Sequence, residues 1–561
     1  MSRKFVFMKG EFLDRSFGDI NRKCNSITFR KTIGKTMFAA YCLKAVIFII
    51  LKIIWVAFIP LNIIRLFYKR KICPPVTNDI LLLPATILAE KIRNRELSSE
   101  TVVRSYIERI SEVNPLLNAV IEDRFEQALE EAKDVEHTLN SFSSVKELKK
   151  KYPLLGVPFT VKGSLAVRGL DHSCGVKMKQ KEALNNAATV QKLIDAGAIP
   201  LLVSNTPEFC LNWETTNKLI GTTNNPYDTR KTVGGSSGGE GALMSAAASV
   251  IGIGSDVAGS LRIPMHYCGV WGHKPSPKII SIEGHYPSCP EEEWPEFFHV
   301  GPISRYASDL SEVFELLVEP NMKSKLKQPG DLRKLKVYYL KEIKNCIVYS
   351  ANEDTKRAVE KVVNYFNNYT VNSMAKEVNG DLFKFSSEYS YIRLLLMNNV
   401  DNLFKGKGEG AHMELLRFFC CQSQSVFTSI AYGLLRWWLW ALPEFYKQKT
   451  FNDLESLKTQ ILEFLDDESV LIIPTFSKEA GFHGDVYKRL FDYGYCGIFN
   501  ALGLPSTDCP VMQTAEGMPI GIQVVGAPYC DRLCLAVARE IEKAFGGWKP
   551  PTLSVNGQHK H

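Results

Sequence analysis

The chain has 561 residues, 45% of them hydrophobic, and a formal net charge of +8. That length and apolar content allow a large buried core, in one oversized α/β domain or in two, and no repeat or low-complexity tract interrupts them. Fourteen cysteines are scattered, with one adjacent pair at Cys420-Cys421; the pattern excludes a disulfide scaffold and a paired CxxC zinc site.

The charge is concentrated at the start. Residues 1–72 carry 15 Lys and Arg against 3 Asp and Glu, a surplus of 12 that exceeds the +8 of the whole chain, so the remainder is net acidic by about 4. A basic arm alone would suit nucleic acid. This one flanks an apolar run over residues 45–64, and membrane contact explains both facts together. Its 20 residues match the length that crosses a bilayer, although Lys52, Pro60 and Asn62 weaken it. The expectation is an N-terminal membrane helix, with an interfacial helix as the second reading. Basic residues on both flanks leave its orientation undetermined. The expected division is a basic, membrane-anchoring segment (1–72) and one larger domain (73–561).

Downstream, a short apolar run ends in a lysine: Gly156-Val157-Pro158-Phe159-Thr160-Val161-Lys162-Gly163. A helix-like segment over 187–196 precedes the strand-like Ala198-Ile199-Pro200-Leu201-Leu202-Val203. The same alternation recurs in Gly241-Ala242-Leu243-Met244-Ser245-Ala246 and Val250-Ile251-Gly252-Ile253-Gly254. It predicts a mixed or parallel sheet sandwiched by helices. Between and beyond these lie Gly234-Gly235-Ser236-Ser237-Gly238-Gly239-Glu240-Gly241 and Ser255-Asp256-Val257-Ala258-Gly259-Ser260-Leu261-Arg262, whose serines 236 and 260 are 24 positions apart.

A Gly/Ser run by itself is most simply a flexible loop. A phosphate loop needs a following Gly-Lys-Ser or Gly-Lys-Thr, which is missing here. A Ser-x-x-Lys pair does not fit either, because Lys162 precedes both serines. The conjunction points to nucleophilic catalysis. A serine hydroxyl needs a base, and a lysine serves only when burial or a neighbouring cation favours its neutral form. Val157, Phe159 and Val161 offer that burial, and the Ser236 hydroxyl both donates and accepts, so it can relay a proton between Lys162 and Ser260. The backbone N–H groups of Val257, Ala258, Gly259 and Ser260 are the candidate oxyanion donors.

Four further stretches of residues widen the pattern. Glu96-Leu97-Ser98-Ser99-Glu100 and Asn114-Pro115-Leu116-Leu117-Asn118-Ala119 lie upstream, Gly221-Thr222-Thr223-Asn224-Asn225-Pro226 precedes the serine loop, and Gly517-Met518-Pro519-Ile520-Gly521-Ile522-Gln523 lies near the end. With the serine loops, these make the chain, over roughly residues 80 to 545, resemble the amidase signature family. Gly-Gly-Glu-Gly-Ala-Leu after the serine pair and Arg262-Ile263-Pro264 resemble its fatty-acid amide hydrolase branch.

The resemblance implies an amidase signature fold with a large mixed sheet. It implies Ser260 as the acylated nucleophile, Ser236 as the bridging serine behind a cis peptide, and Lys162 as the base. Ser237, Asp256 and Arg262 would support the loops, with no metal and no cofactor. Ala258 departs from the family, which more often has glycine there. The expected partners are a lipid amide substrate and a membrane, single-pass or monotopic and in an endomembrane; nucleic acid is not expected and a homodimer is left open. Residues 426–445, with three tryptophans beside Arg436 and Lys447, read either as a membrane-facing cap or as buried helices. The alternatives are a short-chain or aryl amidase, an esterase, or an inactive lipid-binding membrane protein.

Overall fold

Eleven strands form one mixed sheet: β1 (Val120–Asp123), β2 (Pro158–Lys162), β3 (Ile199–Ser204), β4 (Ile251–Asp256), β5 (Trp271–Lys274), β6 (His299–Ser304), β7 (Lys336–Tyr339), β8 (Lys376–Glu377), β9 (Ser469–Pro474), β10 (Ser506–Gln513) and β11 (Pro519–Gly526). Their spatial order is β1-β3-β2-β4-β6-β5-β10-β11-β9-β7-β8. The computed structural model describes residues 67–551, except 178–181, 346, 372–373, 398–399, 401–409, 441–443 and the side chains of 438–440, together with Ile49, Lys52, Val56, Pro60, Ile63 and Ile64. It divides into two compact units, Met1–Leu61 and Asn62–His561, and the sheet belongs to the second.

β2 pairs in parallel with both β3 and β4, β9 with β7 in parallel, and the run from β4 through β11 to β9 is antiparallel. Every residue of β2, β3, β4, β5, β6, β9 and β11 is buried. A strand covered on both faces reads as a continuous apolar run rather than an alternating one, and that is how Ile199–Ser204 and Ser469–Pro474 read.

The flanking helices show why their sequences fold locally. In α1 (Ser99–Leu117), the Ser98 side chain accepts from Thr101 N at the start, and Asn118 ends the helix in the left-handed region. Val102, Tyr106, Arg109, Val113 and Leu117 fall on its buried face. α2 (Gly238–Ser245) is buried along its whole length, and its glycines and alanine permit close contact with the strands: a Cβ on Gly239 would stand 2.5 Å from Asn205 N. α3 (Ile263–Cys268) starts just after Ser260.

A helical layer lies farther along the chain. It comprises α4 (Ser386–Leu395), α5 (Ala411–Phe419), α6 (Phe427–Trp440), α7 (Glu444–Leu462) and α8 (Gly494–Ala501). α5 and α6 pack through Ala411, Leu415, Phe418, Ile430 and Leu434. Their outer face exposes Met413, Leu416, Phe419, Phe427 and Trp437.

The membrane helix expected over 45–64 lies mostly outside the described residues, and among those described no helix is long and apolar enough to cross a membrane. Arg436 and Lys447, read as interfacial cations, are instead buried, at 1% and 7% exposure.

Candidate active site

The catalytic candidates meet at the C-terminal ends of the parallel neighbours β2 and β4, the usual place for a site in such sheets. Lys162 is the last residue of β2, Asp256 the last of β4, and the two serine loops run from there into α2 and α3. Lys162 is wholly buried. Its Nζ lies 2.6 Å from Ser236 Oγ, 2.9 Å from Ser255 Oγ and 3.4 Å from Ser255 O, all neutral oxygens.

The Gly235–Ser236 peptide is cis. A Cβ on Gly235 would lie 2.5 Å from Asn212 O and 3.0 Å from Glu214 N, so only glycine fits against that backbone. Thr206 Oγ1 donates to Ser236 O at 3.0 Å, and Ser237 N donates to Ser260 O at 3.3 Å, which keeps the two loops adjacent. Ser260 Oγ itself makes no hydrogen bond to Ser236 among the described contacts; such links commonly tighten only when substrate binds. Ser237 Oγ donates to Ser255 O at 3.4 Å.

Asp256 organises the nucleophile loop. Its carboxylate accepts from Gly259 N (2.7 Å), Leu261 N (2.9 Å), Arg262 Nε (3.1 Å), Arg262 Nη2 (3.0 Å) and Asn500 Nδ2 (3.0 Å). Burial pushes this carboxyl up, but Arg262 and the two N–H groups outweigh it and hold it well below the usual carboxylate range. The contact with Gly259 corrects one expectation: that N–H is committed to Asp256 and is not a free oxyanion donor. The N–H groups of Val257, Ala258 and Ser260 have no protein acceptor among the described residues. Ala258 stays out of the left-handed region, which Gly259 occupies at φ +110°. Alanine at 258 is therefore accommodated without strain.

Sequence reasoning missed two neighbours of the lysine. Ser255 bridges Lys162 to His285, whose Nε2 lies 2.9 Å from Ser255 Oγ while Nδ1 lies 2.9 Å from Pro287 O. A carbonyl only accepts, so Nδ1 carries a proton; in the neutral ring Nε2 then accepts from the Ser255 hydroxyl. Ser255 had a legible signal in its place beside Asp256. His285 sits in a loop after Gly284 with no pattern to mark it. His273 is buried between Thr507 Oγ1 (2.8 Å) and Asp531 Oδ1 (3.2 Å) and makes no contact with either serine loop among the described hydrogen bonds. Glu240 of α2 accepts from Thr160 Oγ1 at 2.7 Å, and burial pushes its carboxyl up to about 7.

Ser260 opens on an apolar cavity whose walls include Trp213, Tyr391, Leu394, Phe427, Ala431 and Leu435. The helix α6 supplies the last three.

The family model described as Amidase matches residues 101–535. Fatty-acid amide hydrolase 2-A of Danio rerio is 38% identical over 491 residues, covering 85% of this chain and 91% of that protein. Fatty-acid amide hydrolase 2 of Homo sapiens is 37% identical over 500 residues, covering 86% and 93%. Among solved structures, a fatty acid amide hydrolase superposes with a TM-score of 0.68 at 22% identity, covering 84% of this chain and 86% of the other. That last likeness speaks for the fold.

Proposed function

The chain belongs to the Amidase family and is an amide-cleaving hydrolase similar to fatty-acid amide hydrolases; we propose that it is a membrane-associated serine enzyme that splits fatty-acid amides into fatty acid and amine. The observation that carries the reading is Lys162 Nζ, buried among neutral acceptors 2.6 Å from Ser236 Oγ, beside a cavity of apolar walls that holds Ser260.

A neutral amine has two N–H groups and one lone pair. With Ser255 Oγ and Ser255 O taking the two N–H groups, the lone pair faces the Ser236 hydroxyl. Lys162 then draws a proton through Ser236 as Ser260 Oγ attacks the amide carbonyl carbon. The carbonyl oxygen becomes an oxyanion and receives the N–H groups of Val257, Ala258 and Ser260. As the C–N bond breaks, the proton returns through Ser236 to the leaving amine. Water, deprotonated along the same path, then hydrolyses the acyl-enzyme and restores Ser260.

The membrane part of the reading rests on the apolar outer face of α5 and α6, with Met413, Leu416, Phe419, Phe427 and Trp437 exposed. Phe427 belongs both to that face and to the cavity wall, so an acyl chain has a short apolar path from a bilayer to Ser260. Turnover of oleamide against acetamide by the full-length protein tests the substrate class. Oleamide hydrolysed at least a hundredfold faster, with Ser260→Ala inert, supports it; equal rates favour a short-chain amidase.

A further inference from the structure

One buried cation near the cavity has no counter-charge among the described residues. Arg436 on α6 is 1% exposed, and among the described residues its Nε, Nη1 and Nη2 atoms meet no carboxylate or carbonyl acceptor. One helical turn earlier, Tyr432 forms part of the wall of the cavity that contains Ser260, and its buried hydroxyl has no partner among the described residues other than the neighbouring Arg436 guanidinium. Thr428, Tyr432 and Arg436 follow at intervals of four, so they lie along one stripe of the helix, and the first two face the cavity. Burial pushes the Tyr432 phenol up and the Arg436 guanidinium draws it back, which places the charge close to that hydroxyl.

A guanidinium removed from water without a compensating acceptor is costly, and buried charges are ordinarily paired. Here Tyr432 lines a largely apolar cavity with Arg436 one helical turn beyond it, and no carboxylate of the described residues pairs with Arg436. Arginine's planar fork matches a carboxylate with two parallel N–H bonds, and a tyrosine hydroxyl supplies a third donor.

We propose that Arg436 and Tyr432 form a receptor for a carboxylate carried by the amide substrate, away from the bond that is cleaved. This rests on the proposed function and narrows it to long-chain amides with a second, anionic end. That end can be on the amine, as in an N-acyl amino acid, or at the far end of the acyl chain, as in the monoamide of a long dicarboxylic acid.

The test uses full-length protein with oleamide, N-oleoylglycine and octadecanedioic acid monoamide. In Arg436→Met, kcat/KM for one anionic amide, divided by that for oleamide in the same protein, falls at least tenfold, mainly through KM. Tyr432→Phe lowers the same ratio about threefold, and Arg436→Lys lies between Met and wild type. Which of the two anionic amides responds tells which end the receptor holds. Ratios unchanged for both in Arg436→Met and Tyr432→Phe overturn the inference.

Binding separates it from the function itself. In the Ser260→Ala protein, the responding anionic amide raises the melting temperature more than oleamide does, and adding Arg436→Met removes the difference. That result with no hydrolysis of any amide by the wild type leaves the receptor standing and sinks the enzymatic reading. Hydrolysis of oleamide with no extra shift from either anionic amide does the reverse.

Discussion

Replacing Asp256 by asparagine probes how the nucleophile loop is held. The carboxylate accepts five hydrogen bonds, two of them from the Gly259 and Leu261 N–H groups that bracket Ser260 and two from Arg262. An amide keeps one oxygen and turns an NH2 toward donors. Arg262, wholly buried, is then left with neutral acceptors only: Cys496 O at 3.0 Å, Gln523 Oε1 at 3.0 Å and Asn500 Oδ1 at 2.6 Å.

Removing one partner of a buried ion pair costs about 3–5 kcal/mol, a large share of the roughly 5–15 kcal/mol that holds a typical protein folded. Displaced oxyanion donors add a fall in kcat of about a hundredfold. Urea unfolding followed by tryptophan fluorescence reads the first effect, and steady-state amide hydrolysis the second. Adding Arg262→Gln removes the stranded charge, so the double variant recovers much of the stability while remaining slow.

The acid side gives a further check. The folded carboxyl is held below its unfolded value of about 3.9, so its stabilisation is complete above that pH and is lost as pH falls through the folded value. Asp256→Asn lacks that slope. A single variant within about 1 kcal/mol of wild type, and equally active, refutes the account of the loop.

Ser236→Ala and Lys162→Ala each lower kcat by about 10²–10⁴-fold, the usual share of acid–base catalysis, while melting temperature stays near wild type in Ser236→Ala; stopped assays with oleamide read this. Ala431→Trp fills the cavity beside α6 and lowers kcat/KM for oleamide at least tenfold while sparing acetamide, as a chain-length series shows. Changing Leu416, Phe419 and Trp437 together to serine removes exposed apolar surface and weakens flotation with liposomes of the detergent-free protein, without loss of turnover in detergent.

Much of the site was readable from the chain because its parts sit at strand ends with glycines around them. Lys162 closes an apolar run that becomes β2, and the serines stand where only glycine neighbours fit. The strands β3 and β4 were visible as continuous runs of apolar and small residues because both their faces are covered. What sequence does not encode locally is direction. Gly259 offers an N–H in any reading, and only the fold turns it toward Asp256.

His285 reaches Ser255 across 30 residues from a loop, a meeting that no periodicity announces. Arg436 read as an interfacial cation because tryptophans surround it in sequence; in three dimensions its phase on α6 matches Thr428 and Tyr432, and packing buries it.

The central claim is that Ser260 is an activated nucleophile facing an apolar cavity that admits a long acyl chain. Labelling the full-length protein with a long-chain fluorophosphonate, and mapping the adduct by mass spectrometry with oleamide or acetamide as competitor, tests it most directly. The account predicts one adduct on Ser260, suppressed by oleamide and not by acetamide, and absent from Lys162→Ala. An adduct on another residue, or none on well-folded protein, contradicts it.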